Sequence, residues 1–115
     1  VFLKSNDVTI AQRIARTIRE SSGGLPAVKA LGLLVDGQAQ VSMNLVDFRV
    51  TPPHAVVARI AAEARLLGVG IDRSELIGLF PQDALLAAAA HALGLPALGA
   101  DQVVEMALRQ AVGRK

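Results

Sequence analysis

The dipeptide Asp36-Gly37 constrains this chain more than any other feature. It separates two strand-like runs, 27–35 and 38–47, and Asp-Gly between alternating segments favours a two-residue hairpin turn. A two-residue turn also fixes the register, because the numbers of paired residues then add to 73. Leu34 faces Ala39, Gly32 faces Val41, Ala30 faces Met43 and Val28 faces Leu45. Side chains alternate along a strand, so these eight share one side of the sheet. That side is the expected core face, where the small Ala30 and Gly32 leave room for a helix to approach closely. The other side carries Lys29, Leu31, Leu33 and Val35 opposite Asn44, Ser42, Gln40 and Gln38. It is neither clean core nor clean surface. Either another sheet or subunit covers it, or it is a solvated face with a few stray aliphatic residues.

The rest of the chain supplies what packs on that hairpin. Val1-Phe2-Leu3 reads as a strand, and Asn6 or Asp7 as the N-cap of a helix to about position 21. That helix carries Ile10, Ala11, Ile14, Ala15 and Ile18 in one stripe and ends at Gly23-Gly24. Thr51 is the expected N-cap of a second helix, with Pro52 at its first position. This helix buries Val56, Val57, Ile60, Ala61, Ala64 and Leu67, and Gly68 closes it. A short strand follows over 69–72, then the segment 74–80, which fits either a strand or an irregular connection. Pro81 opens an Ala-rich helix to Leu93, closed by Gly94. A last helix over about 101–112 is expected to turn Val103, Val104, Ala107, Leu108 and Ala111 inward, ahead of a frayed tail 113–115. Strand, helix, hairpin, helix, strand is the split β-α-β order of an α/β (α+β) ferredoxin-like fold. It predicts an antiparallel sheet with helices on one face only, extended by two C-terminal helices. At 115 residues, 52% of them hydrophobic, the chain suits a single domain over 1–115. Because it opens inside a strand, that strand is expected to be truncated.

The composition removes several kinds of chemistry. There is no Cys, which excludes disulfides, thiolate metal sites and a Cys nucleophile and suits a cytoplasmic setting. No apolar run is long enough for a membrane-spanning helix. A net charge of +2 is too weak a field to argue for nucleic acid. RNA-recognition modules of this outline stack bases on aromatics of the central strands, and the open hairpin face has none. Ser22-Gly23-Gly24 offers backbone N–H groups to an anion, though helix termination explains it better. Two distant histidines without Cys make no metal site. His54, in the first turn of the second helix, lacks an identifiable orienting partner and reads as a solvent-facing residue rather than a base. His91 reads as a partly buried residue of the Ala-rich helix. Glu75 fits a site carboxylate or a strand-end salt bridge equally. No catalytic residue is assigned.

Several separated blocks resemble one family. The run Ala39-Gln40-Val41-Ser42-Met43-Asn44-Leu45, then Thr51-Pro52, then Ser74-Glu75-Leu76-Ile77-Gly78-Leu79-Phe80-Pro81 is similar to the C-terminal subdomain of glutamate formiminotransferases. Upstream, Arg19-Glu20-Ser21-Ser22-Gly23-Gly24 and Val28-Lys29-Ala30-Leu31-Gly32 resemble the same family, in the same order. The resemblance implies transfer of the formimino group of N-formimino-L-glutamate to N5 of tetrahydrofolate, the co-substrate, during histidine degradation. It implies two subdomains facing a shared cleft, with a cyclodeaminase fused in some members. The family's catalytic histidine belongs to the N-terminal subdomain, in a His-Pro-Arg motif that this sequence lacks, so neither His54 nor His91 inherits its role. The chain is then expected to be inert without that partner subdomain. Lys29, Gln40, Ser42 and Asn44 on the mixed face become the candidate folate- and substrate-binding residues, a lysine suiting the carboxylates of the folate tail. The alternatives are that these four serve only the contact between subdomains, or that the chain is a non-catalytic binding or oligomerisation module closing its open face on a second copy.

Overall fold

A computed structural model describes residues 1–113. They form two compact units, 1–79 and 80–113. Of the tail expected to fray, Gly113 ends the last helix, while Arg114 and Lys115 lie outside the described residues.

The first unit contains β1 (Phe2–Leu3), α1 (Val8–Ile18), β2 (Val28–Val35), β3 (Gln38–Leu45), α2 (Pro53–Leu66) and β4 (Ile71–Arg73). The strands form one antiparallel sheet in the order β2-β3-β1-β4, an α+β arrangement compatible with the ferredoxin-like outline. The hairpin register is the one the turn dictates: Val28 pairs with Leu45, Gly32 with Val41 and Val35 with Gln38. Asp36 and Gly37 both take positive φ, 49° and 77°, as this tight turn requires.

Helix α1 starts where Asp7 accepts the Thr9 N–H through Oδ1 at 3.0 Å, leaving one of the orphan N–H groups satisfied. Ala11, Ile14, Ala15 and Ile18 are buried, and Ile10 packs at their edge. They share a core with Leu3, Val28, Ala39, Val41, Val56, Ile60 and Ala64, so α1 and α2 cover the same side of the sheet. Gly32 lets α1 lie almost on the strand: a Cβ there would stand 2.3 Å from the Gln12 nitrogen.

Three expectations need correction, and one alternative left open for 74–80 is decided. Thr51 does not cap α2, for Pro52 is the N-cap and the helix begins at Pro53. Thr51 is buried and its hydroxyl donates to the Pro26 carbonyl at 2.5 Å, tying the start of α2 to the loop that leads into β2. Leu34 has the right parity for the core but is 53% exposed, because it sits at the hairpin tip. The short strand lies at Ile71–Arg73, and 74–80 is an irregular connection.

The second unit consists of α3 (Gln82–Leu93), closed by Gly94 at φ 68°, a short 3-10 turn (Ala100–Gln102) and α4 (Val104–Gly113). The inward stripe expected on α4 is not observed: Val104 and Leu108 are mostly exposed, Ala111 is exposed, and only Val103 and Ala107 are half-buried.

Candidate functional site

The side of the sheet away from α1 and α2, helix-free within the first unit, is built by parity. Along β3, residues 39, 41 and 43 turn to the helices, so Gln40, Ser42 and Asn44 line up on the opposite side about 7 Å apart. Lys29 pairs across the ladder with Asn44, Leu31 with Ser42 and Leu33 with Gln40. All four candidate residues, Lys29, Gln40, Ser42 and Asn44, therefore share one face. Lys29, Ser42 and Asn44 are exposed and Gln40 is half-buried. Leu31 and Leu33 are 52% and 40% exposed between them, so polar and apolar groups are offered side by side.

Strand β1 adds a residue that sequence reasoning missed. Phe2 pairs with Gln40 on one flank and Arg73 on the other, while its neighbour Leu3 enters the core. Phe2 is therefore on the helix-free face, which corrects the expectation of no aromatic there. It is not an open stacking platform, being only 3% exposed. The Arg73 guanidinium lies 4.1 Å from its ring centroid, a cation–π contact.

Arg73 is itself held in place. Its Nη1 donates to Asp72 Oδ2 at 2.7 Å and to Gln38 Oε1 at 3.2 Å. Gln38 Nε2 donates to the Leu3 carbonyl at 2.9 Å and to Asp72 Oδ2 at 3.0 Å. Hydrogen bonds from Gln38 and then Arg73 hold the Asp72 carboxyl below the usual carboxylate range. Glu75 lies 3.6 Å from Arg73 Nη2, the arrangement of a strand-end salt bridge. Alternation says only that one of Phe2 and Leu3 must turn away from the core, and a strand of two residues carries no turn to decide which. The face is thus apolar and polar at the Lys29 end and ionic at the β4 end.

At the start of β2 an open groove of about 710 Å³ is bordered by Arg19, Glu20, Ala27, Lys29, Asp47 and Val50 among others. Of the four candidates only Lys29 reaches it. The adjoining loop is tightly bonded: Glu20 Oε2 accepts the N–H of Ala27, which holds φ 59°, at 2.9 Å. The N–H groups of Ser22, Gly23 and Gly24 donate to the carbonyls of Arg19, Glu20 and Arg19. They are committed to ending the helix and do not form an anion nest. His54 is half-buried in the first turn of α2, and His91 is exposed on α3. Among the described residues no cluster of three His, Asp or Glu could hold a metal ion, and no helix is long and apolar enough to cross a membrane.

Comparison with known proteins gives this architecture a family. The formiminotransferase domain matches residues 1–111. A glutamate formimidoyltransferase of Streptococcus pyogenes serotype M1 is 40% identical over 95 residues, 81% of this chain and 32% of that protein. One from Thermoplasma acidophilum is 33% identical over 113 residues, 96% of this chain and 37% of that protein. The formimidoyltransferase-cyclodeaminase of Gallus gallus is 40% identical over 88 residues, 70% of this chain and 16% of that protein. The chain spans about a third of the length of the two single-activity relatives, and less of the fused one. With a family match over nearly its whole length and relatives this similar, the chain belongs to the formiminotransferase domain family.

Proposed function

We propose that residues 1–115 form the C-terminal subdomain of a glutamate formimidoyltransferase and supply the folate-side wall of its cleft. The carrying observation is the helix-free sheet face, where Lys29, Asn44, Ser42 and Gln40 stand together beside exposed Leu31 and Leu33. Apolar groups set beside a few polar ones suit a ligand with an aromatic body and a polar rim once a facing subdomain closes a cleft over them. Lys29 would attract the carboxylates of the tetrahydrofolate tail. The Asn44 and Gln40 amides and the Ser42 hydroxyl each donate and accept hydrogen bonds, which fits a pterin or a formimino group. The donor set therefore fits the co-substrate.

Tetrahydrofolate would supply the nucleophilic N5. Transfer forms a bond from N5 to the formimino carbon and breaks the bond from that carbon to the glutamate nitrogen, which leaves as the amine after gaining a proton. This chain's part is to bind and orient, while the proton-transfer group belongs to a separate N-terminal subdomain that the chain needs for activity. A cytoplasmic setting and a role in histidine degradation are part of the same proposal.

The decisive experiment measures formimino transfer by this chain alone and with a separately supplied N-terminal subdomain. Activity only in the mixture is expected. Activity of the chain alone would overturn the division of labour and make His54 the first residue to test. Silence in both would favour a second reading, a binding or oligomerisation module that kept the fold without the chemistry; the exposed leucines on the sheet face favour it.

A further inference from the structure

The β4 end of the sheet holds an ion pair that is only loosely made. Arg73 lies over the Phe2 ring at 4.1 Å, and its Nη1 donates to Asp72 Oδ2 at 2.7 Å and to Gln38 Oε1 at 3.2 Å. These contacts fix the guanidinium but occupy only one of its nitrogens. Nη2 stands 3.6 Å from Glu75, beyond the roughly 2.7–2.9 Å of a charge-assisted hydrogen bond. Among the described residues neither Nη2 nor Nε donates a hydrogen bond. Together they make up one edge of the guanidinium, a fork that takes a carboxylate by two parallel bonds. The Arg73 and Glu75 side chains are 48% and 50% exposed, so a small ligand can reach both.

The order of the strands says which ligand comes there. Lys29 and Arg73 are on the two edge strands, three strand spacings apart and offset along β3 from Asn44 to Gln40. The separation is about 20 Å on the diagonal. A folate tail held at Lys29 sends its pterin across β3 toward Gln40, and Gln40 pairs with Phe2, the ring beneath Arg73. The group that meets N5 then approaches from β4. N-formimino-L-glutamate carries both signs of charge: two carboxylates, and a formimino group that is an amidine and cationic at neutral pH. Arg73 and Glu75 present the opposite signs side by side.

We propose that Arg73 and Glu75 form the subsite for the formimino donor. The Nε–Nη2 edge of Arg73 takes a carboxylate of the glutamate, and Glu75, released from its loose pair, takes the amidinium. Asp72 and Gln38 stay bonded to Nη1 and position the fork. This rests on the sheet face being the folate wall.

Steady-state kinetics of the complete enzyme, with both subdomains present and the two substrates varied separately, tests it. Arg73→Gln is expected to raise the KM for N-formimino-L-glutamate about twentyfold, with kcat within about twofold and tetrahydrofolate affinity unchanged by calorimetry. Arg73→Lys keeps the charge without the fork and should raise that KM about fivefold, as should Glu75→Gln. Glutarate, which has the carboxylates and no amidine, should compete with the donor, lose potency in Arg73→Gln and keep it in Glu75→Gln. If Arg73→Gln fails to fold, judged by circular dichroism, Arg73→Lys and the glutarate competition decide. A donor KM that neither Arg73 variant moves overturns the subsite, while Lys29→Ala still reports on the folate wall. Weakened folate binding with an unchanged donor KM overturns it too, because Arg73 then serves the folate. No formimino transfer by the complete enzyme overturns the folate wall and the subsite together.

Discussion

Replacing Gly32 by alanine isolates the packing that positions the whole sheet face. The added Cβ would stand 2.3 Å from the Gln12 nitrogen and 2.5 Å from Ala11 C and Gln12 Cα. All three atoms are backbone, so no side chain can rotate out of the way. Reaching the 3.4 Å at which ordinary contact begins requires α1 and β2 to part by about 1.1 Å. A gap of that size forfeits about half of the dispersion attraction between the separated surfaces, and α1 buries Ala11, Ile14, Ala15 and Ile18 there. Overpacking ordinarily costs about 1–3 kcal/mol, and clash with backbone on both sides puts Gly32→Ala at about 3 kcal/mol. Gly37→Ala is the control: Gly37 has φ +77° and open space around it, so alanine there meets only the left-handed penalty of about 1–2 kcal/mol. The chain has no Trp and no Tyr, so urea unfolding is followed by circular dichroism. A unit of this size loses about 4–8 °C in Tm per kcal/mol, and Gly32→Ala should fall by about 12–24 °C. A loss no greater than that of Gly37→Ala would refute the close approach of helix and strand.

Other perturbations read other parts of the same unit. Thr51→Val keeps the volume but leaves the Pro26 carbonyl without its 2.5 Å donor, which should cost about 1–3 kcal/mol in urea unfolding. Acid titration tests the cluster at β4. The Asp72 carboxyl is held low by Gln38 and Arg73, so it binds protons less readily folded than unfolded. Its stabilising effect is present above the unfolded value of 3.8 and is lost as pH falls through the lower folded value. The unfolding midpoints of the native chain and Asp72→Asn should therefore differ at pH 5 and converge below pH 3.8, with high salt shrinking the difference. In the reconstituted enzyme, Lys29→Ala and Asn44→Ala should each weaken folate binding about five- to tenfold by calorimetry, the loss of one charge or one hydrogen bond. Unchanged affinity in both would remove these residues from the cleft.

Much of the fold is legible in the sequence because local signals and global packing agree there. Asp36-Gly37 sets the hairpin register, which sets the side of Lys29, Gln40, Ser42 and Asn44, without any tertiary information. Where sequence reasoning failed, the deciding contact came from a distant part of the chain. Thr51 is a competent N-cap by residue type, yet the Pro26 carbonyl competes for its hydroxyl and Pro52 takes the cap position. Leu34 has core parity, but α1 crosses the strand at Gly32 and leaves Leu34 exposed. Phe2 lies in a strand of two residues, too short to show its own alternation, and its face follows only from its pairing with Gln40 and Arg73.

The placement of Phe2 and Arg73 also bears on how a sheet face can stay open and ordered. A sheet face that α1 and α2 leave bare meets water, so its large apolar groups need local cover. At the β4 end that cover is the Arg73 guanidinium, fixed over Phe2 by Asp72 and Gln38. At the β2 end Leu31 and Leu33 have no comparable cover within the first unit. An unguarded apolar end beside Lys29, Ser42 and Asn44 is where a ligand or a facing subdomain gains most by burying surface. Shielding of Leu31 and Leu33 on reconstitution, read as slowed exchange of the amides of their flanking residues, would locate the contact at that end. Protection confined to Phe2 and Arg73 would instead move the cleft toward β4 and make Arg73 the residue to mutate first.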